Sequence, residues 1–394
     1  MRDPDSELDQ LKEKHLLRAL DQGINSPVET KGLTSEDFVQ FSSNDYLGLA
    51  SHAELKAAAI QATERFGVGS RASRLLRGGS LIHKELESYT AEFLGTEAAL
   101  YFANGYAAAL GTLNALLRKG DTVILDKQCH ACLIDGARLS GATIRVFPHN
   151  NLHKLEKLLI SAHEKSSDDS RTLIITESVF SMDGDSAPLK EIIALKKQFS
   201  ALLMVDEAHA LGILGTNGRG LCHSTGEPRS VDLRIVTFGK SVGSAGGVVA
   251  ATSQWIDLIL NRARSFIYST APPHAQAAAA LAGLKIIASP EGDHLRQALA
   301  DNVRLLCEKL PIKPPAAAII PLILGEETSA LRAADHLRAG GCIVPAIRYP
   351  TVARGAARLR VSLSAAHTTE EITRLADNLS LLLDSGKFTL SATA

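Results

Sequence analysis

Hydrophobic and polar positions fall into two rhythms along this chain. Between about residues 83 and 250, short and nearly continuous apolar runs alternate with segments of helical period. Ala98–Phe102, Thr122–Asp126, Thr143–Phe147, Thr172–Glu177 and Leu202–Asp206 read as strands covered on both faces, and Ile235–Phe238 is another such run. His83–Leu94, an alanine-rich stretch from Tyr106, and residues 151–164 and 187–198 read as helices between them. This alternation predicts an α/β fold with a mostly parallel central sheet and helices on both faces.

The flanks read differently. Residues 7–22 place leucines at 8, 11, 16, 17 and 20, which predicts an N-terminal helix ending before Gly23. Residues 251–290 read as helical, broken at Ala271-Pro-Pro273. After Ser289-Pro290 come an amphipathic segment over 295–310, a strand at Ile319–Leu324 and a helix over 328–339. Strand-like Ile343-Val344, a strand at Arg358–Leu363 and a helix over 368–385 complete the chain. The expected division is an N-terminal helix and extension over 1–45, a large ligand-binding domain over 46–288 and a smaller α/β domain over 289–394.

Composition narrows the classes. A formal net charge of −1 gives no global field to recruit nucleic acid or an anionic membrane. The first ten residues are polar, unlike a secretory leader, and no apolar run reaches the ~18 residues that span a bilayer. Five cysteines in 394 residues, an odd number, suit a reducing compartment. The expectation is a cytoplasmic protein.

Chemistry collects where the strands end. Asp126, Glu177 and Asp206 close three runs, and Lys240 follows another after one glycine; open α/β sheets bind ligands at those ends. A lysine there, facing a loop with Gly243, Gly246 and Gly247, is placed for desolvation and imine chemistry. Asp206 can keep a pyridine nitrogen protonated, and His209 lies three residues on. Asn104-Gly105-Tyr106 follows a strand and opens a helix, a ready phosphate site. Acid, lysine and phosphate site together describe a pyridoxal 5'-phosphate enzyme. Cys129-His130-Ala-Cys132 invites a metal or redox reading, but no second Cys/His pair completes a four-ligand site, so no metal is expected. Arg71, Arg74 and Arg77 form a local cation cluster suited to an acidic ligand or simply to solvent.

Phe41-Ser-Ser-Asn-Asp-Tyr-Leu-Gly-Leu-Ala50, Asp135-Gly-Ala-Arg-Leu-Ser-Gly141, Glu177-Ser-Val-Phe-Ser-Met-Asp-Gly-Asp185, Val205-Asp-Glu-Ala-His209, Thr237-Phe-Gly-Lys240 and Arg358-Leu-Arg-Val-Ser-Leu-Ser-Ala-Ala-His367 occur in this order. They resemble the α-oxoamine synthases, fold-type-I pyridoxal phosphate acyltransferases that condense an amino acid with an acyl thioester and release carbon dioxide and thiol. The resemblance runs from about residue 38 to 385. It implies that Lys240 bonds the cofactor and moves the α-proton, that Asp206 meets the ring nitrogen and that His209 meets the phenolic oxygen. It places His130 on the ring face, Ser181 at the ring edge, and Thr237, Gly105 and Tyr106 at the phosphate. Thr270 would reach the phosphate from the neighbouring subunit, which implies a homodimer with its active site at the interface. Arg360 would hold the amino-acid carboxylate, though Arg358 shares its strand face; Arg18 would lie near the substrate. Within the family the pattern is most similar to members of the biotin pathway that join L-alanine to a pimeloyl thioester, on coenzyme A or a carrier protein. Joining glycine to acetyl-CoA is the sibling alternative. A nucleotide-binding or scaffold protein that merely kept the fold would have no use for Lys240, Asp206, His209 and His130 together. The chain departs from the family at Arg71, where glycine is usual, at Arg77, and at Ala210-Leu211, positions expected close to substrate entry.

Overall fold

The computed structural model describes residues 3–18, 38–310 and 312–384. The strands in chain order are β1 (Val39–Gln40), β2 (Ala98–Phe102), β3 (Thr122–Asp126), β4 (Thr143–Phe147), β5 (Thr172–Glu177), β6 (Leu202–Asp206), β7 (Leu233–Thr237), β8 (Gly247–Ala251), β9 (Ile319–Gly325), β10 (Cys342–Ile343), β11 (Ala346–Ile347) and β12 (Ala357–Ser362). They belong to two compact units.

The larger unit, residues 44–181 and 185–297, is built on a seven-stranded sheet of order β2-β8-β7-β6-β5-β3-β4. Side chains along its strands alternate between two cores, as a period of two requires. Val123, Leu125, Leu173, Ile175 and Met204 face Leu113, Leu133 and Ile259 from the helices Gly105–Leu116, Ala131–Ser140 and Ser253–Arg262. Ile124, Ile174, Leu203 and Val205 face Leu155, Leu159 and Ile192 from the helices Leu152–His163 and Leu189–Gln198. Each fully buried leucine or isoleucine contributes about 1.5–3 kcal/mol.

Strand β8 alone runs antiparallel to its neighbours β2 and β7, so β2 is itself parallel to β7, β6, β5, β3 and β4. The carboxyl ends of β2, β7, β6, β5 and β3 therefore lie along one edge, and every cofactor-site residue expected above on this unit follows one of those ends except Thr270. Strand β8 went unpredicted because Gly-Val-Val-Ala-Ala is short, begins at Gly247 and runs into apolar helix. Strand β4 also differs from expectation: it is a largely exposed edge, and Arg145 on it discourages pairing with another chain.

The smaller unit gathers residues 3–18, 38–43, 182–184 and 298–384. It holds the antiparallel sheet β11-β12-β9 and the parallel pair β1-β10. The division between units falls inside the helix Pro290–Lys309, between Gln297 and Ala298. Residues 38–43 join through β1 and through His367, whose Nε2 lies 3.0 Å from the Gln40 carbonyl and whose ring packs 4.5 Å from Phe41. The N-terminal helix is Pro4–Glu13, shorter than the expected 7–22. It buries no residue, is capped by the Asp3 side chain, and ends where His15 takes φ of 53°. Of the remainder of the expected helix, residues 19–22 lie outside the described residues.

One strand-end acid is structural. Asp126 is fully buried and accepts from the backbone N–H groups of Gln128 and Asn150, each at 2.8 Å. His149 bridges Asp126 at 3.1 Å and Asp185 at 2.8 Å. Burial opposes the imidazolium, but the two carboxylates outweigh it and raise the His149 pKa to about 10. A histidine raised above its unfolded value gives stability that is complete below about pH 6.5 and is lost as pH rises through the folded value. His149→Gln should cost about 2–4 kcal/mol at pH 6, discounted because the ring is partly exposed. Denaturant unfolding at pH 6 and pH 10.5 should show that difference shrinking at the higher pH; an equal difference at both would refute the ion triad.

Candidate active site

Three strand ends and one loop converge on Lys240. Strand β7 ends at Thr237, whose Oγ1 donates to the Gly246 carbonyl at 3.0 Å, and Gly239 N–H returns to Thr237 Oγ1 at 3.3 Å. This closes a tight turn that presents Lys240. Its Nζ lies 2.6 Å from His209 Nε2, and His209 Nδ1 lies 2.7 Å from the Tyr46 hydroxyl, which donates to Asn44 Oδ1 at 2.9 Å. These three bonds coexist in one arrangement. With the hydroxyl donating to Asn44, its oxygen accepts from His209 Nδ1–H, which leaves Nε2 as the acceptor for the lysine amine.

Beneath the lysine are two buried acids. Glu177 and Asp206 end adjacent parallel strands in register, at 2% and 7% exposure. Burial raises both pKa values, while Lys240 pulls both down. Asp206 raises Glu177 further, to about 8. Glu177 accepts from His130 N–H at 2.6 Å and from the Ser181 N–H. Asp206 Oδ1 accepts from Ala208 N–H at 2.9 Å. With Glu177 pushed toward its protonated form, Asp206 is the carboxylate left facing the lysine, and its low-dielectric place suits a bound cation or a protonated ring nitrogen.

His130 caps the helix Ala131–Ser140 and remains exposed. Desolvation, partly countered by Asp206, keeps its pKa below the usual histidine value. Cys129 Sγ lies 3.6 Å from the Ile175 carbonyl and Cys132 Sγ 3.0 Å from His130 Nδ1, so the two thiols serve different partners. Both are buried, and burial raises both pKa values, so neither is a thiolate. Among the described residues no cluster of histidine, cysteine and acid could hold a metal.

At the far side of Thr237, the helix Gly105–Leu116 begins. Asn104 Oδ1 takes the Ala107 N–H at 2.8 Å and its carbonyl takes Ala108 N–H at 3.1 Å, leaving Gly105 and Tyr106 in the first turn, where helix N–H groups have no helical partner. Space is tight: a Cβ on Gly105 would lie 3.4 Å from Thr237 Cβ, and one on Gly247 would lie 2.5 Å from the Gly105 backbone. The two turns are pressed together, which brings the Thr237 side chain beside the first turn of the helix, where free N–H groups suit an anion. The Tyr106 hydroxyl turns away to Asp135 at 2.5 Å. A buried acid, an amine and a helix-end anion site at this spacing along one sheet edge fit pyridoxal phosphate.

The chain matches the family described as aminotransferase class I and II over residues 36–379. It is 43% identical over 373 residues to an 8-amino-7-oxononanoate synthase of Geobacter sulfurreducens, covering 93% of this chain and 94% of the relative. An enzyme of the same name from Klebsiella pneumoniae is 44% identical, over 87% of this chain and 89% of its own. Among solved structures, serine palmitoyltransferase of Sphingomonas wittichii superposes with a TM-score of 0.88 at 30% identity, over 98% of this chain and 100% of that one. The 8-amino-7-oxononanoate synthase of Francisella tularensis superposes at 0.75 and 28% identity, over 89% and 99%.

The chain belongs to the α-oxoamine synthases.

It is a pyridoxal phosphate-dependent acyltransferase of fold type I. Against that family the structure sorts the remaining expectations. Lys240, His209, Asp206, His130, Ser181, Thr237 and Gly105 stand along one sheet edge. Thr270 lies on an exposed segment of the same unit, paired with Ser73. Arg360 and Arg18 belong to the smaller unit, where Arg360 Nη1 donates to Ser362 Oγ at 2.7 Å and Arg18 Nη2 to Thr351 Oγ1 at 3.1 Å. Arg358 is engaged by Asp183 at 2.7 Å and by the Met182 carbonyl at 3.1 Å. Of the three arginines, Arg74 makes two 2.9 Å bonds to Glu87, and Arg71 takes φ of 65°, a left-handed conformation in which the glycine usual for this family is at ease. Ala210 and Leu211 are interior, at 0% and 1% exposure, so they pack rather than line an entrance.

Tyr46 and Glu177 were missed as participants. Tyr46 lay inside a motif quoted only for its turn; Glu177 was visible as a strand-end acid beside the next one. After loading with pyridoxal phosphate, borohydride should fix a chromophore to the peptide containing Lys240, and Lys240→Ala should retain none. Label recovered on another lysine of the wild type would overturn the assignment.

Proposed function

We propose that this enzyme condenses L-alanine with a pimeloyl thioester, giving 8-amino-7-oxononanoate, carbon dioxide and free thiol in biotin biosynthesis. The supporting observation is the identity of 40–44% to proteins of that name across 87–97% of the chain, against 30% to serine palmitoyltransferase.

Bound pyridoxal phosphate supplies the electron sink for the substrate's α-carbon. On this reading Asp206, buried at the end of β6, would hold the ring nitrogen protonated. His130, Ser181 and His209 would hold the ring, with Tyr46 fixing the His209 side chain. The N–H groups of Gly105 and Tyr106 and the Thr237 hydroxyl take the phosphate. Lys240 Nζ removes the α-proton and returns one after carboxylate loss. Arg360 holds the amino-acid carboxylate, as its place in the family motif implies. Arg18 lies toward the acyl substrate. Thr270, exposed on its own unit, reaches the phosphate of a second copy, which makes the working enzyme a homodimer.

Thiol release should be measured with L-alanine and pimeloyl-CoA or pimeloyl-carrier protein, glycine and acetyl-CoA, and L-serine and palmitoyl-CoA. The first pair should lead the others in kcat/KM by about 100-fold. Turnover by another pair, with none for alanine and pimeloyl donors, would replace this reading with a sibling activity.

A further inference from the structure

In the Cys129-His130-Ala-Cys132 motif the second thiol touches the imidazole. His130 Nδ1 lies 3.3 Å from Cys132 N–H and 3.0 Å from Cys132 Sγ. A backbone N–H can only donate, but at 3.3 Å its bond to Nδ1 is long, so by itself it favours a lone pair there without fixing it. A proton on Nδ1 would point at that N–H. The thiol beside it therefore donates as well, and burial keeps it protonated. The ring also caps the ten-residue helix Ala131–Ser140, whose N-terminal partial positive charge disfavours an imidazolium. Its own backbone N–H is tied to Glu177 Oε1 at 2.6 Å, which fixes the base of the side chain.

We propose that Cys132 is a positioning residue whose thiol, donating to Nδ1, holds the His130 ring in one plane with its N–H on Nε2. The ring then offers a flat neutral face and one outward donor. That this face meets the cofactor rests on the function proposed above; the tautomer does not. The charged groups acting on the ring are Asp206 and Asp135, which favour a charged imidazole, and Lys240, which opposes it; Glu177 meets only the backbone N–H of His130. The thiol bond is the part that a single substitution removes without altering those charges.

The test uses the full-length chain loaded with pyridoxal phosphate and labelled with ring-15N histidine. Solid-state spectra across a pH series would be recorded for wild type, Cys132→Ser, Cys132→Val and Cys132→Ala. His130→Gln assigns the His130 signals by their loss. Wild type and Cys132→Ser should show the Nε2–H tautomer alone. Cys132→Val, which keeps the volume but has no donor, and Cys132→Ala should show mixed tautomers and a His130 pKa higher by about 0.5–1 pH unit. Unchanged tautomer and pKa in the valine or alanine variant would overturn the proposal, as would failure of serine to preserve the wild-type state. Because the readout is the ring nitrogen, a failed substrate panel leaves this result standing, and a changed tautomer says nothing for or against alanine.

Discussion

Two carboxylates buried side by side are the constraint on which this site rests. Glu177 and Asp206 end adjacent strands in register, out of water, with Lys240 as the cation acting on both. Desolvation at such a place raises acid pKa values, and a second acid raises them again. A ring that brings its own protonated nitrogen relieves that cost while gaining an electron sink. On the function proposed above, the ring nitrogen would neutralise Asp206, and the helix dipole at Gly105 would offer the opposite sign to the phosphate.

The sheet makes this possible through its one antiparallel strand. Because β8 reverses twice the direction of its neighbours, β2 points the same way as β7, β6 and β5. The phosphate turn after β2 and the lysine turn after β7 thus share an edge, locked by the contact between Gly247 and Gly105. Tyr46 and Cys132 then fix the two histidines from their outer nitrogens, one through Asn44, the other through a helix cap.

Much of this was legible in the sequence. Five of the seven central strands were read with the bounds observed, because runs such as Leu173–Ile175 are buried on both faces and leave no periodic ambiguity. Lys240, Asp206 and His209 were singled out because a lysine and several acids fall together at the ends of neighbouring strands, even though one of those acids, Asp126, is structural. Strand β8 was hidden by its brevity. The N-terminal helix was overextended because its leucine stripe has no buried partner. The smaller unit draws in residues 38–43 and 182–184, a long-range pairing that no local pattern announces. The roles of Tyr46 and Cys132 depend on distances across 163 and 2 residues, one too long and one too local for period-based reading.

Exchange of the α-proton of L-alanine or glycine in deuterated water, without acyl donor, isolates the step that the buried acid governs. The central claim predicts that Asp206→Asn keeps a borohydride-reducible chromophore on Lys240 while exchange falls by about 100-fold or more. Exchange at the wild-type rate in that variant would contradict it.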